Sequence, residues 1–460
     1  MGKKLFGNTG SGRYSSNQRS SSSRERKAEE KNAKKSGKKN TGLKILAFIL
    51  SFILFIECAY CVAIFTDIGP IPKLRQLWIS TAWSTMNHRW LATALIPGDI
   101  VQPVIDAIEA GKDAQMNIES NWGSVDEQTE PTELRSPSVG FSKDQAAAIL
   151  ADLAQSSGLS GAADDFFELF HELDEESVYE YIEKHPEAIE NGWENFYVNE
   201  AGLDDEGTTM MTNAGDQVLA VNAEHGLLAI RIIDGINYRG VLVIGKDPSR
   251  VKCAPSSQLG AVGQRVGEIG EKHDALVAMT ASGFDDSEGL AEGAVLTGAA
   301  MHSGRTTGWH YPWGYKRIEL HTDNRLYITD AHRGFMDGCT DASEFTPALI
   351  IDGNIVVSAA DGYDAINPRC ALGQTKDEAM MFLAIEGRRV GTSLGTTASE
   401  LAQILSRYDC YQAMNVDGGT SGILWYEGEY ITLCSNKALP EGRRLPNAWV
   451  YCSETVPDPE

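Results

Sequence analysis

The segment Asn415-Val416-Asp417-Gly418-Gly419-Thr420-Ser421 sets a carboxylate, two glycines and two hydroxyls side by side. An apolar run over residues 410–416 leads into it, so Asp417 is delivered to the end of a strand. Glycine allows a tight turn and the close approach of a ligand. Successive backbone N–H groups in such a turn form a nest for anions, and Thr420 and Ser421 add further donors. This set of groups suits a sugar hydroxyl or a phosphate held beside a charge. The same residues also suit an ordinary β-turn, which favours Asp and Gly for its own reasons.

Other segments bear on that choice. Residues 382–389 read Phe-Leu-Ala-Ile-Glu-Gly-Arg-Arg, and residues 399–408 precede the Asp417 turn. Trp425-Tyr426-Glu427-Gly428-Glu429-Tyr430 comes after it. Asn367-Pro368-Arg369-Cys370-Ala371-Leu372-Gly373-Gln374 and Arg444-Leu445-Pro446-Asn447-Ala448 flank this group, and Val277-Ala278-Met279-Thr280-Ala281-Ser282-Gly283-Phe284 lies upstream. Taken in this order, the segments resemble the phosphodiester glycosidase family over residues 219–452. The family includes an animal enzyme that removes N-acetylglucosamine from a phosphate on mannose, and many bacterial envelope proteins.

The resemblance implies cleavage of a sugar-1-phosphodiester. The anomeric C1–O bond then breaks through an oxocarbenium-like state, which a nearby carboxylate stabilises. A phosphate ester leaves readily, so cationic clamps on its oxygens matter more than a strong general acid, and the planar fork of arginine suits them. On this basis Asp417 and Glu386 are the expected catalytic carboxylates. Arg369, Arg388 and Arg444 are the expected phosphate or sugar ligands, joined by Asn415, Gly418, Gly419, Thr420, Ser421 and Thr280. Four departures from the family pattern bear on catalysis. Thr280 replaces an amide with a hydroxyl, Cys370 stands where a threonine is common, Glu386 stands where aspartate is usual, and the turn reads Gly-Gly-Thr-Ser in place of a Gly-Gly-Gly/Ser-Ser run.

Charge is unevenly distributed. The chain carries a formal net charge of −24, yet up to Lys44 thirteen Lys/Arg residues face only Glu25, Glu29 and Glu30. This basic stretch, residues 1–42, has almost no large apolar residues and is expected to be a disordered cytoplasmic tail. Its lysine runs read as the flank of a membrane span, with no nucleic-acid partner implied, because residues 43–65 are apolar over a bilayer's thickness. Positive-inside topology puts the chain beyond residue 66 outside the membrane. A cleaved signal peptide is the alternative. Glu57 is costly within such a span if it faces lipid.

Six cysteines lie beyond the span, at 253, 339, 370, 410, 434 and 452, and an oxidising compartment would permit three disulfides among them. Neither they, nor Cys58 and Cys61, nor the histidines show zinc-site spacing. No metal and no cofactor is expected.

Residues 66–140 read as a juxtamembrane segment with Trp78, Trp83 and Trp90, followed by a polar linker over residues 110–137. Residues 141–192 read as an acidic helical insert forming a small subdomain, with helices over residues 142–155 and 164–189. From residue 219 short apolar runs recur at 227–233, 241–244, 275–279, 317–320, 348–351, 380–385, 412–416 and 448–451. Asp352-Gly353 and Glu427-Gly428 are turn signals between such runs. Thr397 and Glu400 have capping-box spacing, and a short helix is expected within residues 258–273. The expected fold is α+β: a catalytic domain over residues 219–453 with a large mixed β-sheet and few helices.

These observations favour a membrane-anchored extracytoplasmic hydrolase acting on a glycan or sugar phosphate in envelope or extracellular polymers. The alternatives are a non-catalytic glycan-binding protein and an exopolysaccharide assembly factor that docks unknown protein partners. Protease added to spheroplasts should digest the C-terminal domain and spare an N-terminal tag. Protection of the domain would overturn the proposed orientation.

Overall fold

The computed structural model describes residues 18–84, 89–122, 160–286, 292–309, 315–358, 363, 365–457 and 459. It divides into two units, Met1–Arg75 and Gln76–Glu460.

In the first unit one helix runs over Gln18–Phe65. Among the described residues, its Leu43–Phe65 portion is the helix long and apolar enough to cross a membrane, and its side chains are exposed except at its far end, where Ile64 is buried. The helix departs from expectation by starting at Gln18, so residues 18–42 continue it and are not a disordered tail. No proline interrupts this stretch, and Arg, Lys, Glu and Ala are good helix formers. Arg75 folds back on the far end, donating to the carbonyls of Ile64 (2.8 Å) and Thr66 (3.1 Å) and pairing with Asp67 at 3.0 Å. Cations near a helix C-terminus satisfy its orphan carbonyls in this way.

The second unit is α+β, built on three antiparallel sheets. The nine-stranded sheet has the spatial order Tyr197–Asn199, Gln217–Asn222, Leu227–Asp234, Tyr238–Gly245, Met380–Ile385, Arg369–Thr375, Cys410–Val416, Ala348–Ile351, Asn354–Ile355. A second sheet orders Leu326–Asp330, Lys316–His321, Cys339–Phe345, Gly298–His302 and Arg305–Trp309. The third orders Glu429–Tyr430, Leu424–Tyr426, Ala275–Thr280, Asn447–Cys452 and Val251–Pro255. Each apolar run read from the sequence lies in one of these strands.

Layering follows from the alternation of side chains along a strand. In Leu227–Asp234, Leu228, Ile230 and Ile232 enter a core shared with helices, while Leu227 and Ala229 enter a second core shared with the other two sheets. A third core packs Val266 and Ile269 of helix Val266–Lys272 against Ala278, Trp425 and Val450. Each such Leu, Ile or Val contributes roughly 1.5–3 kcal/mol by burial. Both anticipated hairpins close through paired positive φ angles, at Asp352 (50°) and Gly353 (75°) and at Glu427 (44°) and Gly428 (99°). That is the primed-turn geometry that matches strand twist. Thr397 caps helix Ala398–Ser406 with the reciprocal Glu400 contact.

Three sequence expectations are corrected. The acidic insert is not a subdomain of its own, since Phe166, Phe170, Val178 and Ile182 share the first core with the nine-stranded sheet. Residues 164–189 are two helices, Ser160–Leu169 and Glu175–Lys184, and a 3-10 turn, because Asp174 caps the second helix by accepting from Ser177 N–H at 2.8 Å. The linker begins later than expected, since helix Gly98–Met116 runs through residues 110–116 and its Gln115 amide bonds both ways with Ala348 (2.8 and 3.0 Å). The expected helix over residues 142–155 lies outside the described residues.

All eight cysteines are free. Cys410 lies in the first core, Cys253 and Cys370 in the second, Cys434 and Cys452 in the third. Dispersed in this way, they pack as small apolar side chains.

Helices and sheet are tied by a buried ion pair. Lys246 Nζ donates to both oxygens of Glu172, at 2.6 and 2.7 Å. Removing one partner of such a pair strands the other charge, at about 3–5 kcal/mol. Glu172→Ala should therefore lose stability of that order in urea unfolding. A loss below about 1 kcal/mol, typical of a solvated pair, would show that the helices are not fixed to the sheet through this contact.

Candidate active site

Three adjacent strands of the nine-stranded sheet end together. Arg369 pairs with Ile385 and Cys370 with Val416, so Arg369, Glu386 and Asp417 emerge at one edge. A fourth strand end joins them from the third sheet, because Asp417 N–H donates to Ala281 O at 3.1 Å. Asn447 holds the same region: its Oδ1 accepts from Ser282 N–H (3.0 Å) and its Nδ2 donates to Ser282 Oγ (3.0 Å).

The turn after Asp417 depends on glycine. A Cβ on Gly418 would lie 2.6 Å from Pro368 O, and Gly419 has φ +61°. Gly419 N–H donates to Pro368 O (2.9 Å), and Gly418 N–H donates to Asp417 Oδ1 (2.9 Å). The other side is braced by Ser435 Oγ on Gly419 O (3.2 Å) and Cys434 Sγ on Thr420 O (3.4 Å). The Arg388 guanidinium lies over Gly419, 3.7 Å from where a Cβ would stand. Its Nη2 donates to Asn367 Oδ1 at 3.2 Å. Asn367 in turn donates to Ser84 Oγ (3.0 Å), just past helix Ile71–Trp83. The tryptophan-bearing segment thus touches this region and is more than a tether.

Asp417 is partly buried, and burial pushes its carboxyl up to about 6. Hydrogen bonds from Ser421 and Gly418 N–H and the charge of Arg443 oppose this rise, while nearby Asp286 adds to it. Arg443 Nη1 reaches Asp286 Oδ2 at 2.5 Å, with the guanidinium carbon 4.7 Å from the Phe284 ring centroid. The site therefore holds two carboxyl groups facing one guanidinium, with a second guanidinium over the glycine turn.

The other expected site residues are placed less centrally. Arg369 is spent on structure: Nε donates to Thr396 O (3.0 Å) and Nη2 to Ala365 O (2.8 Å). Burial lowers its pKa to about 10, so it stays cationic. Glu386 is buried. Its Oε1 accepts from Leu433 N–H at 3.0 Å and its Oε2 lies 3.3 Å from Arg239 Nε. Burial raises its pKa against those two contacts. Arg444 departs from the site, donating to Gly263 O (3.2 Å) and lying 3.8 Å from Glu268. That side opens into a cavity of about 700 Å³ lined by Arg265, Glu268, Trp425 and Tyr430, away from the glycine turn. Thr280 is fully buried, and its hydroxyl has no hydrogen-bond partner among the described residues. Asn415 uses its Nδ2 on Thr346 O (2.8 Å) and Val416 O (3.1 Å), while its Oδ1 lacks a described partner.

Sequence inspection missed Asp286 and Arg443. Both sit next to matched segments, Asp286 two residues after Phe284 and Arg443 immediately before Arg444. Arg443 turns to Asp286 while Arg444 turns to Gly263 O and Glu268, and spacing alone does not say which of the two faces the site.

Carboxyl groups and cationic donors thus meet at one sheet edge. Residues 273–452 match the family model described as phosphodiester glycosidase, and this stretch is a domain of that family. No curated protein matches the chain. Among solved structures, one similar chain is the zebrafish N-acetylglucosamine-1-phosphodiester alpha-N-acetylglucosaminidase catalytic domain, auto-inhibited by its pro-peptide. It is 16% identical, with TM-score 0.41, over 50% of this chain and 84% of that one. A Burkholderia pseudomallei protein described as exported is 13% identical, with TM-score 0.36, over 47% and 74%. A hypothetical protein from Synechocystis is 14% identical, with TM-score 0.33, over 51% and 63%. The family match carries the assignment.

Because the Arg443 charge holds the Asp417 pKa down, Arg443→Ala should raise it further above about 6, whereas Arg444→Ala should leave it in place. Carboxyl-carbon NMR titration of the two variants measures this. Equal behaviour would remove Arg443 from the site.

Proposed function

We propose that this chain hydrolyses glycosyl-1-phosphodiester bonds, of the N-acetylglucosamine-phosphodiester kind, in envelope or extracellular glycopolymers. Leu43–Phe65 anchors it in the membrane, with the N-terminal tail cytoplasmic and the domain outside. The observation that carries the activity is the Asp417 carboxyl in its glycine turn, facing Arg443 and flanked by Arg388.

In this mechanism Asp417 acts as its carboxylate. It stabilises positive charge at the anomeric carbon and takes the proton of the attacking water. Arg388 and Arg443 bind the phosphate oxygens, exchanging part of their protein contacts for the substrate's charge. Of the turn residues, Thr420 offers its hydroxyl to the sugar or phosphate, while Gly418, Gly419 and Ser421 spend their N–H groups on Asp417, Pro368 and Gly418 and shape the turn. Thr280 and Asn415 are buried behind it and support it without touching substrate. Arg369 and Glu386 act by holding the loops at residues 365, 396 and 433, with no direct step in the chemistry.

Asp417→Asn keeps the shape and removes the charge. Turnover of an N-acetylglucosamine-1-phosphodiester should fall by about two orders of magnitude or more. In the wild type, kcat/KM should rise as pH increases through about 6, where Asp417 ionises. Its raised folded-state pKa also means that ionisation opposes folding: the stability it contributes is present at low pH and declines as pH rises to about 6. Asp417→Asn should therefore melt no lower than the wild type at neutral pH. Near-normal turnover with lowered stability would make Asp417 structural. The substitution of Thr280 for an amide favours a second reading, a non-catalytic glycan-binding module, which glycan binding without turnover by the wild type would establish.

A further inference from the structure

We propose that Glu319, His321 and Cys339 form a zinc-binding site in the second sheet, separate from the Asp417 turn. Arg317, Glu319 and His321 alternate along one face of strand Lys316–His321. Cys339 stands directly opposite His321 on the neighbouring strand, where the register shifts between Cys339 and Asp341. This register brings together residues that are unremarkable as a linear pattern. One ligand atom from each of the three lies within 4.8 Å of the other two. Glu319 and His321 are buried, while Cys339 retains partial exposure and offers an entry path.

The surrounding contacts orient these groups as supports orient metal ligands. Glu319 Oε1 accepts from Thr329 Oγ1 at 3.0 Å, and Oε2 accepts from the Met336 N–H at 3.1 Å. The neighbouring cation leaves Glu319 its charge. Arg317 makes its short carboxylate contacts with Glu344 Oε1, at 3.2 and 2.8 Å, and reaches Glu319 only at 3.4 Å. His321 Nε2 lies 3.0 Å from Glu319 Oε2, a pairing that serves as a hydrogen bond without metal.

Binding requires a small proton rearrangement. Cys339 releases its thiol proton to solvent, His321 carries its proton on Nδ1, and Sγ, Nε2 and one Glu319 oxygen coordinate the ion. Water completes four-coordination. A thiolate, an imidazole and a carboxylate together select zinc over the hard, oxygen-seeking calcium and magnesium. The ion would also pin residues 331–338, whose Met336 N–H and Phe335 ring already rest on Glu319 and Arg317.

The test uses the full chain in detergent, stripped with a chelator and titrated with Zn2+ and, as a spectroscopic substitute, Co2+. The wild type should bind one zinc per chain, and its Co2+ form should show a thiolate-to-cobalt charge-transfer band. Cys339→Ser should abolish that band and weaken zinc binding by about 100-fold, at least the loss that follows removal of a supporting group. Circular dichroism checks that the variant folds. If it does not, the stripped wild type still decides through its Co2+ spectrum. Absence of the band in the wild type, or unchanged zinc affinity in folded Cys339→Ser, would overturn the site.

Discussion

The site depends on one close approach, that of the Gly418 backbone to the Pro368 carbonyl, where a side chain would stand 2.6 Å from oxygen. Because nothing projects from residue 418, Gly419 N–H reaches Pro368 O and ties the turn to the strand that starts at Arg369. The Asp417 N–H then reaches Ala281 O, so the turn also ties the nine-stranded sheet to the third sheet. Segments separated by more than a hundred residues are thereby fixed around one carboxyl group. A site built on strand ends in this way inherits the rigidity of the sheets behind it.

How much of this is legible in the sequence depends on the range of each signal. Strands such as Met380–Ile385 and Cys410–Val416 are legible because burial on both faces leaves continuous apolar runs. The Thr397–Glu400 cap and the Asp352-Gly353 hairpin are legible because a few neighbouring residues decide them. The amphipathic stripe of Phe166, Phe170 and Val178 declares a packing face but not its partner, which is why a shared core reads as a separate insert. The site divides along the same line. The turn chemistry of Asp417, Gly418 and Gly419 is local. By contrast, what Arg369, Glu386 and Arg444 face is settled by groups distant in sequence: carbonyls for the two arginines, the Leu433 N–H and Arg239 for Glu386.

Arginine placement shows the difference most clearly. Arg369 and Arg444 both spend donors on backbone carbonyls, and Arg389 Nη2 donates to Cys434 O at 2.8 Å. A buried carbonyl without a donor is costly, and arginine, with five donors on a rigid fork, serves several loops at once. Matched family segments are therefore rich in arginines that build the rim, and only those set beside carboxyl groups or the turn, Arg443 and Arg388, have charge directed at the site.

A raised carboxyl pKa does not by itself identify a working group. Burial pushes both Asp417 and Asp341 up to about 6. Asp341 is buried, and its Oδ1 accepts from the N–H groups of Cys253 (2.9 Å) and Ser303 (3.1 Å), so it joins two backbone segments and has a structural use. Among the described residues the Asp417 carboxyl is hydrogen-bonded within its own turn, by Gly418 N–H and Ser421, and it remains partly open. Its ionisation costs the fold without cross-linking anything distant. A carboxyl group kept in that condition, beside a guanidinium and on the rim of a rigid sheet, is a local cost that the fold does not need and that the proposed role of Asp417 would account for.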